Sequence, residues 1–156
     1  MSDLSEPIIL HVEDNPDDEM LVKRAFKSDV PSNQLFTAHD GREANAYLFE
    51  GKLLDGMYEH RLPNLILLDL KLPIMTGLEL LEKIRTTPAT QQIPVVVLTS
   101  SDEPKDLNRC YQLGVNSYVA KPVEFEKFIQ TVRKIANYWL ETNRMPWSLM
   151  SFVALL

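Results

Sequence analysis

The sequence predicts an α/β fold in which a parallel β-sheet carries helices on both faces. Five short apolar runs alternate with five segments of helical periodicity, and this alternation is typical of parallel sheets. The third run, Leu65–Leu68, contains no polar residue, which is typical of a strand buried on both faces. The length of 156 residues fits one domain.

The first half of the chain contains two strand–helix units. The strand Pro7–Val12 precedes a helix that Asn15 can cap and whose first turn Pro16 suits, with acidic residues at its positive end. Leu35–Ala38 is the second strand. The helix after it extends from Gly41 to about Leu54, with apolar side chains spaced for one face.

The second half of the chain repeats this alternation three times. Gly114 ends the fourth helix as a C-terminal glycine, and the fifth helix keeps apolar residues three or four positions apart. The predicted elements are the strands Leu65–Leu68, Ile93–Leu98 and Ser117–Ala120, and the helices Gly77–Arg85, Glu103–Leu113 and a segment from after Pro122 to about Leu140.

Composition excludes several classes of function. The net charge of −6 disfavours binding to nucleic acid, and no apolar run is long enough to span a membrane. We find no secretory signal, and we expect a soluble cytoplasmic protein. The one cysteine, Cys110, is interpreted as a small buried apolar residue, and His11 as a core histidine inside a strand rather than a metal ligand.

Polar side chains stand where four of the predicted strands end. Glu13 and Asp14 follow the first strand, Asp69 the third, Thr99 the fourth and Lys121 the fifth. Ligands of open parallel sheets bind at this edge. Two carboxylates about 4 Å apart repel by roughly 4 kcal/mol at an effective dielectric constant of 20. A divalent cation relieves that repulsion, and the all-oxygen donor set predicts Mg²⁺.

These motifs carry a resemblance to a known family. From about Pro7 to Leu140 the chain resembles the receiver domain of two-component response regulators, and it looks most like the stand-alone receivers that partner cyanobacterial and bacterial phytochromes. The resemblance implies a doubly wound five-stranded sheet of order 2-1-3-4-5, the flavodoxin-like receiver fold. The matching motifs are VEDN (12–15), LLDLKLP (67–73) with Gly77, VVLTSS (96–101) and YVAKP (118–122).

The resemblance implies a role for each strand-end residue. Asp69 is the implied phosphoacceptor. The implied Mg²⁺ ligands are Glu13, Asp14, Asp69 and the backbone carbonyl of Lys71. Thr99 and Lys121 are expected to contact the phosphoryl group.

Two further features follow from the resemblance. Thr99 and Tyr118 form the implied switch, with the tyrosine turning inward on activation, although an aromatic residue on an edge strand is often only half-buried core. The peptide bond between Lys121 and Pro122 is expected to be cis.

The implied function is a single-domain response regulator that accepts a phosphoryl group from a sensor histidine kinase, with phytochromes as candidate kinases, and that signals by protein contact. It is not an enzyme beyond self-phosphorylation from small donors and autodephosphorylation. A homodimer through the fourth helix, fifth strand and fifth helix is expected.

Residues 1–141 form the receiver domain, and 142–156 an apolar tail without a fold of its own. The tail from Met145 to Leu156 either packs on the last helix or across a dimer, or is disordered.

Other functions fit the sequence less well. A haloacid-dehalogenase-type phosphatase needs a second Asp two residues after its nucleophile, where this chain has Lys71. A flavodoxin-like electron carrier needs a phosphate loop, but the chain has the acidic EDNPDD. A degenerate receiver that acts only as a scaffold is the serious alternative.

The chain departs from the family pattern at three positions. Glu13 stands where Asp is commoner, and Thr76 replaces the usual Asp before Gly77. Lys71, a long cation two residues after the implied acceptor, is expected to alter the phosphate lifetime.

Overall fold

The computed structural model describes residues 6–27 and 34–146. Five strands alternate with five α-helices, as the sequence predicts. The elements in chain order are β1 (Ile9–Val12), α1 (Pro16–Phe26), β2 (Leu35–Ala38), α2 (Gly41–Glu50), β3 (Leu65–Leu68), α3 (Gly77–Thr86), β4 (Val95–Thr99), α4 (Pro104–Gln112), β5 (Ser117–Ala120), α5 (Phe125–Asn137) and a π-helical turn (Tyr138–Thr142).

The strands form one parallel sheet of order β2-β1-β3-β4-β5, which confirms the predicted fold. Helices α2, α3 and α4 cover one face of the sheet and α1 and α5 the other. Strand β3 lies at the centre, and its four residues are fully buried, as expected for a strand covered on both faces. The crossover between β1 and β3 places their carboxyl ends side by side.

Several element boundaries differ from the predictions, most of them by one or two residues, and three differences have a local explanation or continue a predicted pattern. Helix α2 ends at Glu50 because Gly51 takes a left-handed conformation with φ of 71°. Strand β4 begins only after Pro94, which has no backbone N–H for the ladder. Regular α-helix in the last element ends at Asn137, and the apolar periodicity continues through the π-helical turn.

Several local predictions are confirmed. Asn15 caps α1 by accepting hydrogen bonds from the backbone N–H groups of Asp17 and Asp18. Cys110 and His11 are both buried in the core. No helix in the described ranges is long and apolar enough to cross a bilayer. The tail beyond Pro146 lies outside the described residues, so its packing stays a prediction.

Candidate functional site

Backbone hydrogen bonds continue past the strand ends and fix the polar residues there. The Glu13 N–H donates to the carbonyl of Ala38 at 2.9 Å, and the Asp69 N–H donates to that of Val12 at 3.2 Å. The Lys121 N–H donates to the carbonyl of Thr99 at 2.8 Å. The side chains of residues far apart in sequence are therefore held at one edge of the sheet.

The ammonium group of Lys121 lies at the centre of this site. Its Nζ is 2.7 Å from Glu13 Oε1, 2.8 Å from Asp18 Oδ2 and 3.0 Å from Asp69 Oδ2. The side chains of Lys121, Glu13 and Asp69 are at most 8% exposed, so these contacts are shielded from water. Shielded charge-assisted hydrogen bonds are stronger than exposed ones.

Three carboxylates of the site could together hold a metal ion. One oxygen from each of Glu13, Asp14 and Asp69 lies within 4.8 Å of the others. Glu13 and Asp69 are buried, and Asp14 is exposed, which leaves one side open to water. Carboxylate oxygens beside water suit a hard divalent cation. The Lys71 N–H donates to Asp69 Oδ1 at 3.4 Å, whereas the predicted role of its carbonyl as a metal ligand stays a prediction.

Burial and charged neighbours together shift the pKa values of Glu13, Lys121 and His11. It raises the pKa of Glu13 to about 7, against the lowering effect of the Lys121 hydrogen bond. Burial alone would lower the pKa of Lys121, but hydrogen bonds to Asp18 and Glu13 raise it above its ordinary value, so the ammonium stays charged. Burial, with the charge of Lys121, lowers the pKa of His11 to about 3, and this imidazole is neutral at neutral pH.

A chain of hydrogen bonds leads from Thr99 towards α4. The fully buried Thr99 accepts a bond at Oγ1 from the Ser101 N–H at 3.3 Å. The Ser101 carbonyl accepts a 2.7 Å bond from the Tyr118 hydroxyl, and Ser101 Oγ lies 2.6 Å from Asp106 Oδ2 in the first turn of α4. The loop after β4 is therefore tied to both β5 and α4.

The comparison with protein families decides the assignment. Residues 9–133, which include every strand-end residue of the site, match the response regulator receiver domain. The chain belongs to this family. The receiver fold predicted from the strand-end motifs is thereby confirmed.

Two curated relatives of this receiver domain match along most of their length. The probable methanogenesis regulatory protein FilR2 of Methanothrix harundinacea is 43% identical over 139 residues, which are 89% of this chain and 87% of that protein. The response regulator Rcp1 of Synechocystis sp. is 40% identical over 149 residues, 94% of this chain and 99% of that protein.

Two solved structures of response regulators resemble this receiver. The phosphorylated cyanobacterial phytochrome response regulator RcpA superposes with a TM-score of 0.82 at 36% identity, over 90% of this chain and 99% of that one. The Mn²⁺-bound form of response regulator Rcp1 superposes with a TM-score of 0.79 at 37% identity, over the same shares of the two chains. The resemblance to phytochrome response regulators predicted from the sequence is confirmed.

The receiver structure corrects one prediction and adds one residue. The Lys121–Pro122 peptide bond is trans, since the residues that the structure describes contain no cis peptide bond. Trans is the intrinsically favoured isomer before proline, by about 0.5–1 kcal/mol. The added residue is Asp18, which the sequence marked only as an acid in the first turn of a helix. No feature of the sequence distinguishes it from Asp17 and Glu19 in the same turn.

Proposed function

We propose that the protein is a response regulator in which Asp69 accepts a phosphoryl group from the phosphohistidine of a sensor kinase, in a reaction that needs Mg²⁺. One observation carries the proposal. A buried carboxylate at the end of the central strand lies 3.0 Å from the ammonium of Lys121 and within 4.8 Å of two further carboxylates. An acidic nucleophile beside a cation-binding cluster suits attack on a negatively charged phosphoryl group.

In the transfer step, an oxygen of Asp69 attacks the phosphorus atom and a new O–P bond forms. The N–P bond of the donor breaks, its electron pair stays on the histidine nitrogen, and the product is an acyl phosphate. Lys121 donates to the phosphoryl oxygens and so balances their charge, and the Thr99 hydroxyl contacts the same group. Glu13, Asp14 and Asp69, with the carbonyl of Lys71, would hold Mg²⁺, which would supply neutralisation of the charge on both reactants.

The acyl phosphate ends by hydrolysis, in which water cleaves the O–P bond and restores the free carboxylate. This autodephosphorylation, with self-phosphorylation from small donors, is the full extent of the proposed chemistry. The Lys71 side chain is exposed two residues after the acceptor, so it can reach the phosphoryl group from the solvent side. We expect it to change the lifetime of the phosphorylated state.

The phosphorylated state signals through the chain of hydrogen bonds that begins at Thr99. A phosphoryl group adds a charge of about −1.5 to −2, which attracts the Thr99 hydroxyl and moves the loop after β4. Because that loop holds Tyr118 through the Ser101 carbonyl, the face formed by α4, β5 and α5 changes shape. Leu107 and Tyr111 of α4 are exposed apolar side chains that a partner can cover.

This face is the proposed homodimer interface. Sedimentation at tens of micromolar, with and without phosphorylation, tests it, and a monomer under both conditions would count against it. A phytochrome is the proposed kinase, because RcpA is named a phytochrome response regulator. Cytoplasmic location and the lack of nucleic-acid or membrane partners stay predictions from the sequence.

Intact mass spectrometry tests the proposed acceptor directly. The protein is incubated with acetyl phosphate and Mg²⁺, beside Asp69→Asn and a sample with the cation removed by EDTA. We expect a gain of one phosphoryl group only in the wild type with Mg²⁺. If acetyl phosphate and a phosphorylated cognate kinase both fail to modify the wild type, the scaffold function replaces the proposal.

A further inference from the structure

The ammonium group of Lys121 uses its full donor capacity. A lysine ammonium has three N–H donors and no acceptor. The structure places three carboxylate acceptors around it, from Glu13, Asp18 and Asp69, at 2.7, 2.8 and 3.0 Å. The orientation of the ammonium therefore depends on all three partners.

Two of these three carboxylates have a second proposed role besides their contact with Lys121. Glu13 and Asp69 belong to the group that could hold a cation, whereas Asp18 does not. Under the proposed function, Asp69 also becomes the acyl phosphate. A divalent cation held by Glu13, Asp14 and Asp69 would repel the ammonium and would take electron density from two of its acceptors. Asp18 is the partner that stays available to Lys121 through each of these changes.

Asp18 is held firmly enough for this task. It lies in the first turn of α1, where its N–H donates to the Asn15 side chain at 3.3 Å. Helix α1 packs against α5, the helix that follows the loop containing Lys121. The side chain of Asp18 is 22% exposed, so water competes only partly for its oxygens.

We propose that Asp18 is a positioning residue, which holds the Lys121 ammonium beside Asp69 while the cation and the phosphoryl group are bound. This inference rests on the proposed function of Asp69. The Asp18 carboxylate holds the ammonium near Asp69 and does not draw it away from Asp69, because the ammonium contacts both carboxylates at the same time. Removal of its charge therefore weakens phosphoryl transfer and leaves cation binding in place.

Asp18→Asn tests this role, with Asp17→Asn as the matched control. Both substitutions preserve side-chain size and remove one negative charge from the first turn of α1, but Asp17 is exposed. We expect Asp18→Asn to slow phosphorylation from acetyl phosphate at saturating Mg²⁺ roughly tenfold, the low end for loss of a partner that orients a site residue. Asp17→Asn should stay within about twofold of the wild type, as surface substitutions usually have small effects.

Two further measurements separate positioning from other roles. The affinity for Mg²⁺, followed by titration, should change much less than the transfer rate in Asp18→Asn, because Asp18 lies outside the group of carboxylates that could hold the cation. The ¹⁵N signal of the Lys121 ammonium, assigned by its loss in Lys121→Met, should be visible in the wild type and in Asp17→Asn. It should exchange with water too fast to observe in Asp18→Asn.

The outcomes distinguish this inference from the proposed function. Equal transfer rates in the two Asn variants would overturn the positioning role, as would a loss of Mg²⁺ affinity as large as the loss of rate. Absence of any phosphorylation in the wild type would instead overturn the function proposed for Asp69. In that case the ammonium signal of the unphosphorylated protein still decides whether Asp18 holds Lys121, and its persistence in Asp18→Asn would reject the inference.

Discussion

Gly77, the first residue of α3, lies against the backbone of Asp69, the proposed phosphoacceptor: a Cβ atom on Gly77 would be 2.3 Å from the carbonyl oxygen of Asp69 and 2.7 Å from Leu70 Cα. Side chains essentially never approach backbone atoms so closely. The Gly77 N–H also donates to the Leu70 carbonyl at 3.1 Å. Glycine at this position therefore allows α3 to begin in direct contact with the backbone of Asp69 and Leu70.

Substitution of Gly77 by Ala is expected to lower the free energy of unfolding by about 2–3 kcal/mol, because backbone atoms must move to admit the methyl group. Urea denaturation measures this change. The control is Gly51→Ala, since Gly51 has φ of 71° and no heavy atom within 4 Å of an added Cβ. It should cost only about 1–2 kcal/mol for the left-handed conformation. An equal or smaller loss in Gly77→Ala would contradict the close approach.

Mg²⁺ is expected to stabilise the folded protein and Asp14→Asn to abolish most of this effect. A ligand at 100 times its dissociation constant adds about 2.7 kcal/mol to the free energy of unfolding. Asp14 is exposed, so its substitution alone should change stability by at most about 0.5 kcal/mol. Thermal unfolding with and without Mg²⁺ measures both effects, and Asp17→Asn should respond to Mg²⁺ as the wild type does. A full response in Asp14→Asn would exclude Asp14 as a ligand.

Tyr118→Phe is expected to lower the free energy of unfolding by about 1 kcal/mol, the usual value of one hydrogen bond. The substitution removes the 2.7 Å bond from the hydroxyl to the Ser101 carbonyl and leaves the ring in place. Phosphorylation of Asp69 should proceed normally, whereas the oligomeric state should no longer respond to it. Tyr111→Phe, at a side chain 54% exposed, is the control. A normal response in Tyr118→Phe would remove this hydroxyl from the switch.

Cys110 is expected to contribute a pH dependence above pH 9. Burial, with the charge of Asp106, raises the pKa of this thiol from 9.0 to about 11. The thiol therefore stays protonated in the folded protein at a pH at which the unfolded chain has already released the proton. Deprotonation favours the unfolded state, which becomes relatively more stable as the pH rises. The thiol should lower the free energy of unfolding between pH 9 and about pH 11, by about 2–3 kcal/mol in total.

Cys110→Ala provides the control for this pH dependence. It should be less stable at pH 7 by about 1 kcal/mol, because a fully buried group is lost. Its free energy of unfolding should then fall less steeply than that of the wild type above pH 9. Parallel curves for the two proteins would show that the thiol titrates normally. Thiol reagents should modify the wild type only slowly until it unfolds.

Hydrophobic pattern and strand-end chemistry were enough to predict a parallel sheet and the residues that meet at its edge, whereas the strand order followed from the family resemblance. The unbroken apolar run Leu65–Leu68 before a turn is typical of a buried central strand, and the carboxyl ends of parallel strands share one edge. The association of Glu13, Asp69 and Lys121 follows from that geometry. The distances that join them confirm that they meet.

Two features were not predicted correctly from the sequence: the contact of Asp18 with Lys121 and the trans peptide bond before Pro122. The first depends on the rotation of a helix about its axis, and the second on a small energy difference between two isomers. Asp17, Asp18 and Glu19 each carry a carboxyl group and all lie in the first turn of α1, so only the rotation of the helix shows which one faces Lys121. The isomers of the bond before Pro122 differ by about 0.5–1 kcal/mol, which local sequence does not decide.

The contact between Lys121 and Glu13 joins residues 108 positions apart in the chain, and that between Lys121 and Asp69 spans 52. Closure of such long loops is entropically costly and comes late in folding. A chain in which β1 and β3 have paired but β5 has not yet docked holds Glu13 and Asp69 close together without their counter-ion, so the two carboxylates repel each other. Docking of that last strand adds the ammonium of Lys121 and makes the net interaction within the cluster attractive. Chains that end before Lys121 lack the cation that balances the charge of these carboxylates.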